Sequence, residues 1–204
     1  DNVIVATDDQ RIYDQVTEFG GSVKMTSSQH TSGTDRIAEV AESLESEVIV
    51  NVQGDEPLIE PAMVEQAVEP FFHDDCLVMS TLRKKIESYD EIDDPNVVKV
   101  VTDNQGYALY FSRSPIPYRK NEEIDYYKHI GLYVYSRNFL LKFSKMEPTF
   151  LETVESLEQL RALENGYNIK VVETRFNTVG VDMPDDIKRV EKIMKTGDRS
   201  GKVE

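Results

Sequence analysis

The sequence predicts an α/β protein: a doubly wound, mostly parallel sheet with a smaller β-rich lobe inserted over residues 96–135. Three observations predict it. Short apolar runs alternate with helical patterns along most of the chain. Runs such as NVIVA and VIVNV lack a polar–apolar alternation, as strands buried on both faces do. Between Asn96 and Tyr135 the helical patterns stop, and Tyr-rich, β-branched segments replace them.

The elements follow in order. Asn2–Ala6 is a strand ending in Thr7-Asp8-Asp9, and the next helix places Ile12, Val16 and Phe19 on one face before Gly20-Gly21 stops it. Val23–Met25 is a second strand. The polar loop Thr26–Gly33 opens a helix with Ile37, Val40, Ala41 and Leu44 at i, i+3, i+4, i+7 spacing. Val48–Val52 is a buried strand, and Pro61 starts a helix that runs to about Phe72. Val78–Leu82 is a strand. Val97–Thr102 and Tyr107–Ser112 flank the turn cluster Asp103-Asn104-Gln105-Gly106 and form a hairpin. Ile130–Tyr135 adds a strand. A helix over Leu151–Asn165 is closed by Gly166, followed by a strand Ile169–Glu173 and a helix from Pro184 to about Met194. The polar tail Lys195–Glu204 is expected to fray.

A chain of 204 residues corresponds to about 1.4 domains, read as a single domain over 1–204. It contains 23 Lys+Arg against 38 Asp+Glu, a net charge of −15. That excess of anions argues against nucleic acid as a partner, because neutralising phosphates needs surplus cation. A small nucleotide, served by a local pocket and a metal, stays compatible. The lone cysteine, Cys76, rules out a disulfide within the chain, and its apolar surroundings point to a buried structural thiol. No apolar run approaches the ~20 residues of a membrane span.

Ligands of doubly wound sheets bind beyond the carboxyl ends of the strands. After VIVNV comes Gln53-Gly54-Asp55-Glu56-Pro57, where Gly54 permits close backbone approach and Asp55 offers a hard oxygen ligand suited to Mg²⁺. An acidic turn before a helix explains the same residues. Asp182 precedes Pro184 by two residues, so it reads either as a helix N-cap or as a second Mg²⁺ ligand opposite Asp55. His30-Thr31-Ser32-Gly33-Thr34-Asp35-Arg36 opens a helix whose exposed N–H groups favour anions or polar base edges, or merely cap it; the fork of Arg36 suits a carbonyl or a phosphate. Arg113 could clamp a carboxylate, and His129 and Tyr133 could donate to sugar hydroxyls. The plainer reading is that the aromatic residues pack a hydrophobic dimer face and that His129 is an edge residue with its bonds satisfied; for Tyr110, Phe111 and Tyr135 that reading is favoured. Glu158-Gln159 reads locally as a solvated helix face.

Taken in order, ATDD, HTSGTDR, VNVQGDEP, NVVKVV, YALYFSRSPIPY, KHIGLYVY, LEQLRALENGY and GVDMPDD resemble the 3-deoxy-manno-octulosonate (Kdo) cytidylyltransferase family, from roughly Val3 to Val190. The resemblance implies a Rossmann-like nucleotidyltransferase whose β-rich lobe serves dimerisation and sugar binding. It implies a reaction in which the anomeric hydroxyl of a 2-keto sugar acid attacks the α-phosphate of CTP, giving a CMP-sugar and pyrophosphate. Asp55 and Asp182 then correspond to the Mg²⁺ ligands and catalytic carboxylates. Ser32, Gly33, Thr34 and Arg36, with Gln53, correspond to the cytosine and ribose pocket. Arg113, His129, Tyr133, Glu158 and Gln159 correspond to the sugar-acid pocket, with Arg113 on the carboxylate. A homodimer in the cytoplasm, supplying lipopolysaccharide synthesis and engaging neither nucleic acid nor membrane, is the implied setting. Family members open with a strand and a Gly-, Arg- and Lys-bearing loop that holds the triphosphate. Nothing similar precedes Asp1, so a strand–helix unit of roughly 30–45 residues is expected upstream. If the molecule starts at Asp1, little turnover is expected. Two alternatives stay open: a cytidylyltransferase for another sugar acid, sialic-type or an amino analogue of Kdo, and a non-catalytic nucleotide-binding relative.

Overall fold

A computed structural model describes residues 2–120, 124–178, 180–181 and 183–196. The chain runs β1 (Ile4–Thr7), α1 (Gln10–Glu18), β2 (Ser22–Met25), α2 (Gly33–Glu42), β3 (Val48–Asn51), α3 (Pro61–Val68), β4 (Met79–Lys85) and α4 (Asp90–Asp93). It continues with β5 (Lys99–Thr102), β6 (Ala108–Ser112), β7 (Tyr127–Ser136), α5 (Arg137–Phe143), α6 (Phe150–Glu155), α7 (Gln159–Glu164), β8 (Ile169–Glu173) and α8 (Pro184–Thr196). Pro70, which lacks a donor N–H, ends α3 in a 3-10 turn over Glu69–Phe72.

The fold is α/β, with a mixed sheet. β1 and β2 form a parallel pair. A six-stranded sheet runs β6-β5-β7-β4-β8, with β3 on the other part of β7. β4 and β8 are parallel, whereas β7 runs antiparallel to β3, β4 and β5. The long strand β7 follows the β5–β6 hairpin and returns in the reverse direction, so parallel pairing is confined to β1–β2 and β4–β8 among the described ladders. Helices cover both faces. Ala38, Phe139 and Leu160 pack with Met79, Phe111 and Tyr135 on one side. Met63 and Ala67 of α3 pack with Leu82, Leu132 and Val134 on the other. β4 lies between these layers, which is why Met79, Ser80, Thr81 and Leu82 are all buried.

Two features of the sheet bear on function. Asn51, Tyr133, Thr81 and Val171 form one row across β3, β7, β4 and β8. Immediately beyond it the pairing jumps from Thr81–Tyr133 to Leu82–Ile130, so Gly131 and Leu132 form a bulge in β7. Bulges re-aim neighbouring side chains, and this one lies beside His129.

Several sequence expectations are corrected. The helix expected over 151–165 is two helices, because Ser156 adopts a left-handed conformation, φ 53°, between α6 and α7. α5 was not anticipated, and β7 extends three residues before the expected Ile130. On α1 only Val16 is buried, while Ile12 and Phe19 are exposed, since α1 packs over the narrow β1–β2 pair. Cys76 is exposed, because its apolar neighbours belong to the approach to β4 and the cysteine itself lies in a turn held by Asp74. Phe111 and Tyr135 are core residues.

Lys99 is fully buried. Its ammonium donates to the carbonyls of Asp94, Val97 and Arg113 at 2.9, 2.6 and 2.6 Å. Desolvation pushes its pKa down. Lys99→Ala would take the ammonium from three carbonyls and leave a cavity; Asp94 O would still accept from Val97 N–H. A loss of about 3 kcal/mol or more in urea-unfolding free energy is expected, with a smaller loss in Lys99→Met, which keeps the apolar stem.

Candidate active site

At the end of β3, the Gln53 amide donates to Asn51 Oδ1 at 3.0 Å. Its Oε1 faces Gly33, where an added Cβ would lie 3.7 Å away. Ser32 caps α2 by accepting from Asp35 N–H. Arg36, on the first turn of α2, reaches back to Thr26 Oγ1 at 2.6 Å and to Asp8 Oδ2 at 3.2 Å. The structure therefore gathers Ser32, Gly33, Arg36 and Gln53 at the carboxyl ends of β1, β2 and β3. Thr34 points elsewhere. It is buried, and its hydroxyl donates to Glu158 Oε2 at 2.5 Å.

That contact joins α2 to the corner between α6 and α7. The corner is tied down from two sides. Glu155 accepts from Ser112 Oγ at 2.7 Å and from Arg113 N–H at 2.9 Å. Glu152 forms a two-pronged ion pair with the nearly buried Arg161. With the helix broken at Ser156, Glu158 and Gln159 turn inward, and Gln159 is only 3% exposed. The solvated-face reading of this pair is thus overturned: the register of a continuous helix does not apply across the break. Burial raises the pKa of Glu158, opposed by the Thr34 hydroxyl and the Arg161 charge. Gln159 Oε1 accepts from Tyr133 OH at 3.1 Å, whereas its buried Nε2 has no hydrogen-bond partner among the described residues. A buried donor without a partner is costly unless a ligand takes it. Burial, reinforced by the charge of Glu158, keeps Tyr133 protonated.

His129 sits between Phe111, edge-on at 5.0 Å, and Tyr133 at 5.3 Å, with Nε2 2.9 Å from Thr81 Oγ1. Burial lowers its pKa from 6.5 to about 3. The unfolded chain would take this proton near pH 6.5 and the folded chain only near 3, so acidification across that window favours unfolding. Stability is expected to fall over that range, and His129→Gln to show a shallower fall in urea titrations.

Arg113 leaves β6 with its guanidinium on three backbone carbonyls: Glu155 O at 2.8 Å, Pro95 O at 2.9 Å and Ser156 O at 3.4 Å. The Glu155 carboxylate meets the backbone N–H of Arg113 instead of its guanidinium. No described carboxylate forms a salt bridge with the guanidinium; backbone dipoles orient it, and its charge helps to hold the pKa of Glu155 down.

Asp55 lies exposed in the turn after β3. No described residue hydrogen-bonds or ion-pairs with its carboxylate, while its backbone carbonyl accepts from Val181 N–H at 2.8 Å. The chain segment that carries Asp182 is thereby tied to the Asp55 turn; Asp182 itself lies outside the described residues. α8 starts at Pro184, and Asp186 Oδ2 accepts from Met183 N–H at 2.8 Å. Among the described residues no cluster of three acidic, His or Cys side chains forms a metal site.

The two halves of this site, one around α2 and one around α7, meet at Thr34–Glu158. Residues 1–173 match the family described as Cytidylyltransferase. A 3-deoxy-manno-octulosonate cytidylyltransferase of Trichlorobacter lovleyi is 54% identical over 95% of this chain and 82% of its own length. One of Geotalea daltonii is 55% identical over 95% and 81%. The chain belongs to the 3-deoxy-manno-octulosonate cytidylyltransferase family. A solved CMP:2-keto-3-deoxy-manno-octonic acid synthetase, complexed with CTP, matches with a TM-score of 0.92 and 43% identity, over 97% of this chain and 82% of that one. The inositol-1-phosphate CTP transferase of T. maritima, with a TM-score of 0.60 and 16% identity, shares the fold alone.

For a member of this cytidylyltransferase family, the sequence pointed to most of the polar residues that the fold gathers here. It missed Asn51, Thr81, Glu155 and the Glu152–Arg161 pair. Strand register places Asn51 and Thr81, and nothing local marks them. The break at Ser156 places Glu155, and Ser carries no strong signal for a left-handed turn.

Proposed function

We propose that this chain joins CTP to 3-deoxy-manno-octulosonate, giving CMP-Kdo and pyrophosphate, with Mg²⁺ held between Asp55 and Asp182. The observation that carries the proposal is the continuity of the site. An anion- and base-favouring helix start at Ser32–Gly33 connects through Thr34–Glu158 to a cluster that offers one guanidinium with no salt bridge among the described residues and several uncharged hydrogen-bonding groups. That second cluster suits a molecule with one carboxylate and many hydroxyls.

In the reaction the anomeric oxygen bonds to the α-phosphorus, its proton leaves to solvent, and the bond to the β-phosphate oxygen breaks with its electron pair departing on pyrophosphate. Arg113 holds the sugar carboxylate, and Tyr133, His129, Glu158 and Gln159 orient the ring. Ser32, Gly33, Gln53 and Arg36 hold the cytidine side. Two carboxylates plus substrate oxygens suit Mg²⁺, and Asp55, exposed and without a described partner, fits that role. The ion supplies charge screening and a lowered hydroxyl pKa. We place the enzyme in the cytoplasm as a homodimer formed through the 96–135 lobe, supplying lipopolysaccharide synthesis.

The test is pyrophosphate release by the full-length protein with CTP and either Kdo or a sialic-type acid, with and without Mg²⁺. Release with Kdo that EDTA abolishes supports the proposal. Release with the other acid alone transfers the specificity, and calorimetric CTP binding without turnover makes the protein a nucleotide-binding relative.

A further inference from the structure

Thr81 is fully buried in β4, opposite Tyr133 and beside the bulge at Gly131–Leu132. Its Oγ1 lies 2.8 Å from the Leu132 carbonyl oxygen, 3.1 Å from that of Ile130 and 2.9 Å from His129 Nε2. A threonine hydroxyl has one proton, and carbonyl oxygens only accept. If that proton went to His129, the hydroxyl oxygen would face two carbonyl oxygens with no proton between them. The proton therefore goes to the carbonyls, and His129 Nε2–H donates to Thr81. A neutral imidazole carries one N–H, so Nδ1 is left as a bare acceptor. Burial of His129 lowers its pKa to about 3, which keeps the ring neutral. No described residue hydrogen-bonds Nδ1.

We infer that Thr81 is a positioning residue that locks His129 in the Nε2–H form, so that Nδ1 accepts a hydrogen bond from a hydroxyl or amine of the bound sugar acid. The sugar half of this inference rests on the pocket assigned above. It reverses the role first expected of His129, from donor to acceptor. A site of this kind selects a donor group at one place on the sugar and disfavours a carbonyl, carboxylate or missing hydroxyl there, because each leaves Nδ1 unpaired or opposed.

The test uses the full chain labelled with ¹⁵N-histidine. The protein has three histidines, and the His129 signals are those lost in His129→Gln. Nitrogen shifts separate the two tautomers without any substrate. The wild type is expected to show neutral, Nε2-protonated His129. Thr81→Val is expected to lose that single form, and Thr81→Ser, which keeps the hydroxyl, to retain it. In turnover, Thr81→Val is expected to raise KM for the sugar acid about tenfold, as for one lost hydrogen bond, with KM for CTP unchanged and Thr81→Ser close to wild type. An Nδ1-protonated or cationic His129 in the wild type overturns the inference, and that reading holds even if Thr81→Val fails to fold. An unchanged tautomer in Thr81→Val overturns it as well. The expected tautomers with an unmoved KM for the sugar acid overturn the recognition half and the pocket assignment, while the tautomer lock stands.

Discussion

Asp55→Ala is expected to lower kcat for pyrophosphate release by about 10³-fold or more, because a metal that stabilises the transition state by several kcal/mol is lost with its ligand. The substitution should leave the fold intact. Asp55 is exposed, no described residue bonds its carboxylate, and its described tie to Val181 runs through the backbone carbonyl, which alanine keeps. A thermal melt superimposed on that of the wild type, together with the fall in kcat, places the loss in the chemistry. Asp55→Asn preserves shape and removes charge, so it should be almost as damaging. Asp182→Ala is expected to match Asp55→Ala. Near-wild-type turnover in either alanine variant is incompatible with a shared ion.

Arg113→Ala is expected to raise KM for the sugar acid by about 10²-fold, with KM for CTP unchanged, the loss of a charge-assisted, two-pronged contact. The physical case lies in what surrounds the guanidinium. Three carbonyls hold it, and the Glu155 carboxylate accepts from Ser112 and from the Arg113 backbone. Arg113→Lys keeps the charge but not the fork that these carbonyls hold, so it should recover only part of the affinity. Because Arg113 also braces the α6–α7 corner, some stability loss is expected in both variants, and the split between the two KM values separates recognition from bracing. A rise in KM for CTP alone would mean that the two pockets are exchanged.

Much of this site was legible in the order of its motifs. Ser32-Gly33 before a helix, Gln53 and Asp55 after a buried strand, and Arg113 leaving a strand all lie at element ends, where local chemistry and position in the fold coincide. Glu158 and Gln159 were not legible by periodicity. A 3.6-residue pattern assumes an unbroken helix, and the left-handed Ser156 resets the phase. Thr34 looked like part of the nucleotide loop, yet its hydroxyl serves Glu158, 124 residues further along the chain.

The alternation of apolar strands and helical stretches, the acidic balance that disfavours nucleic acid, and the ordered motifs that mark a cytidylyltransferase are properties of neighbouring residues and of composition, so they are read from the chain alone. Which way β7 runs, where its bulge falls, and which groups Thr81 and Glu155 meet depend on pairing between segments tens of residues apart. Those pairings follow from how two apolar layers close over one sheet, and no short stretch of sequence carries the register that closure selects.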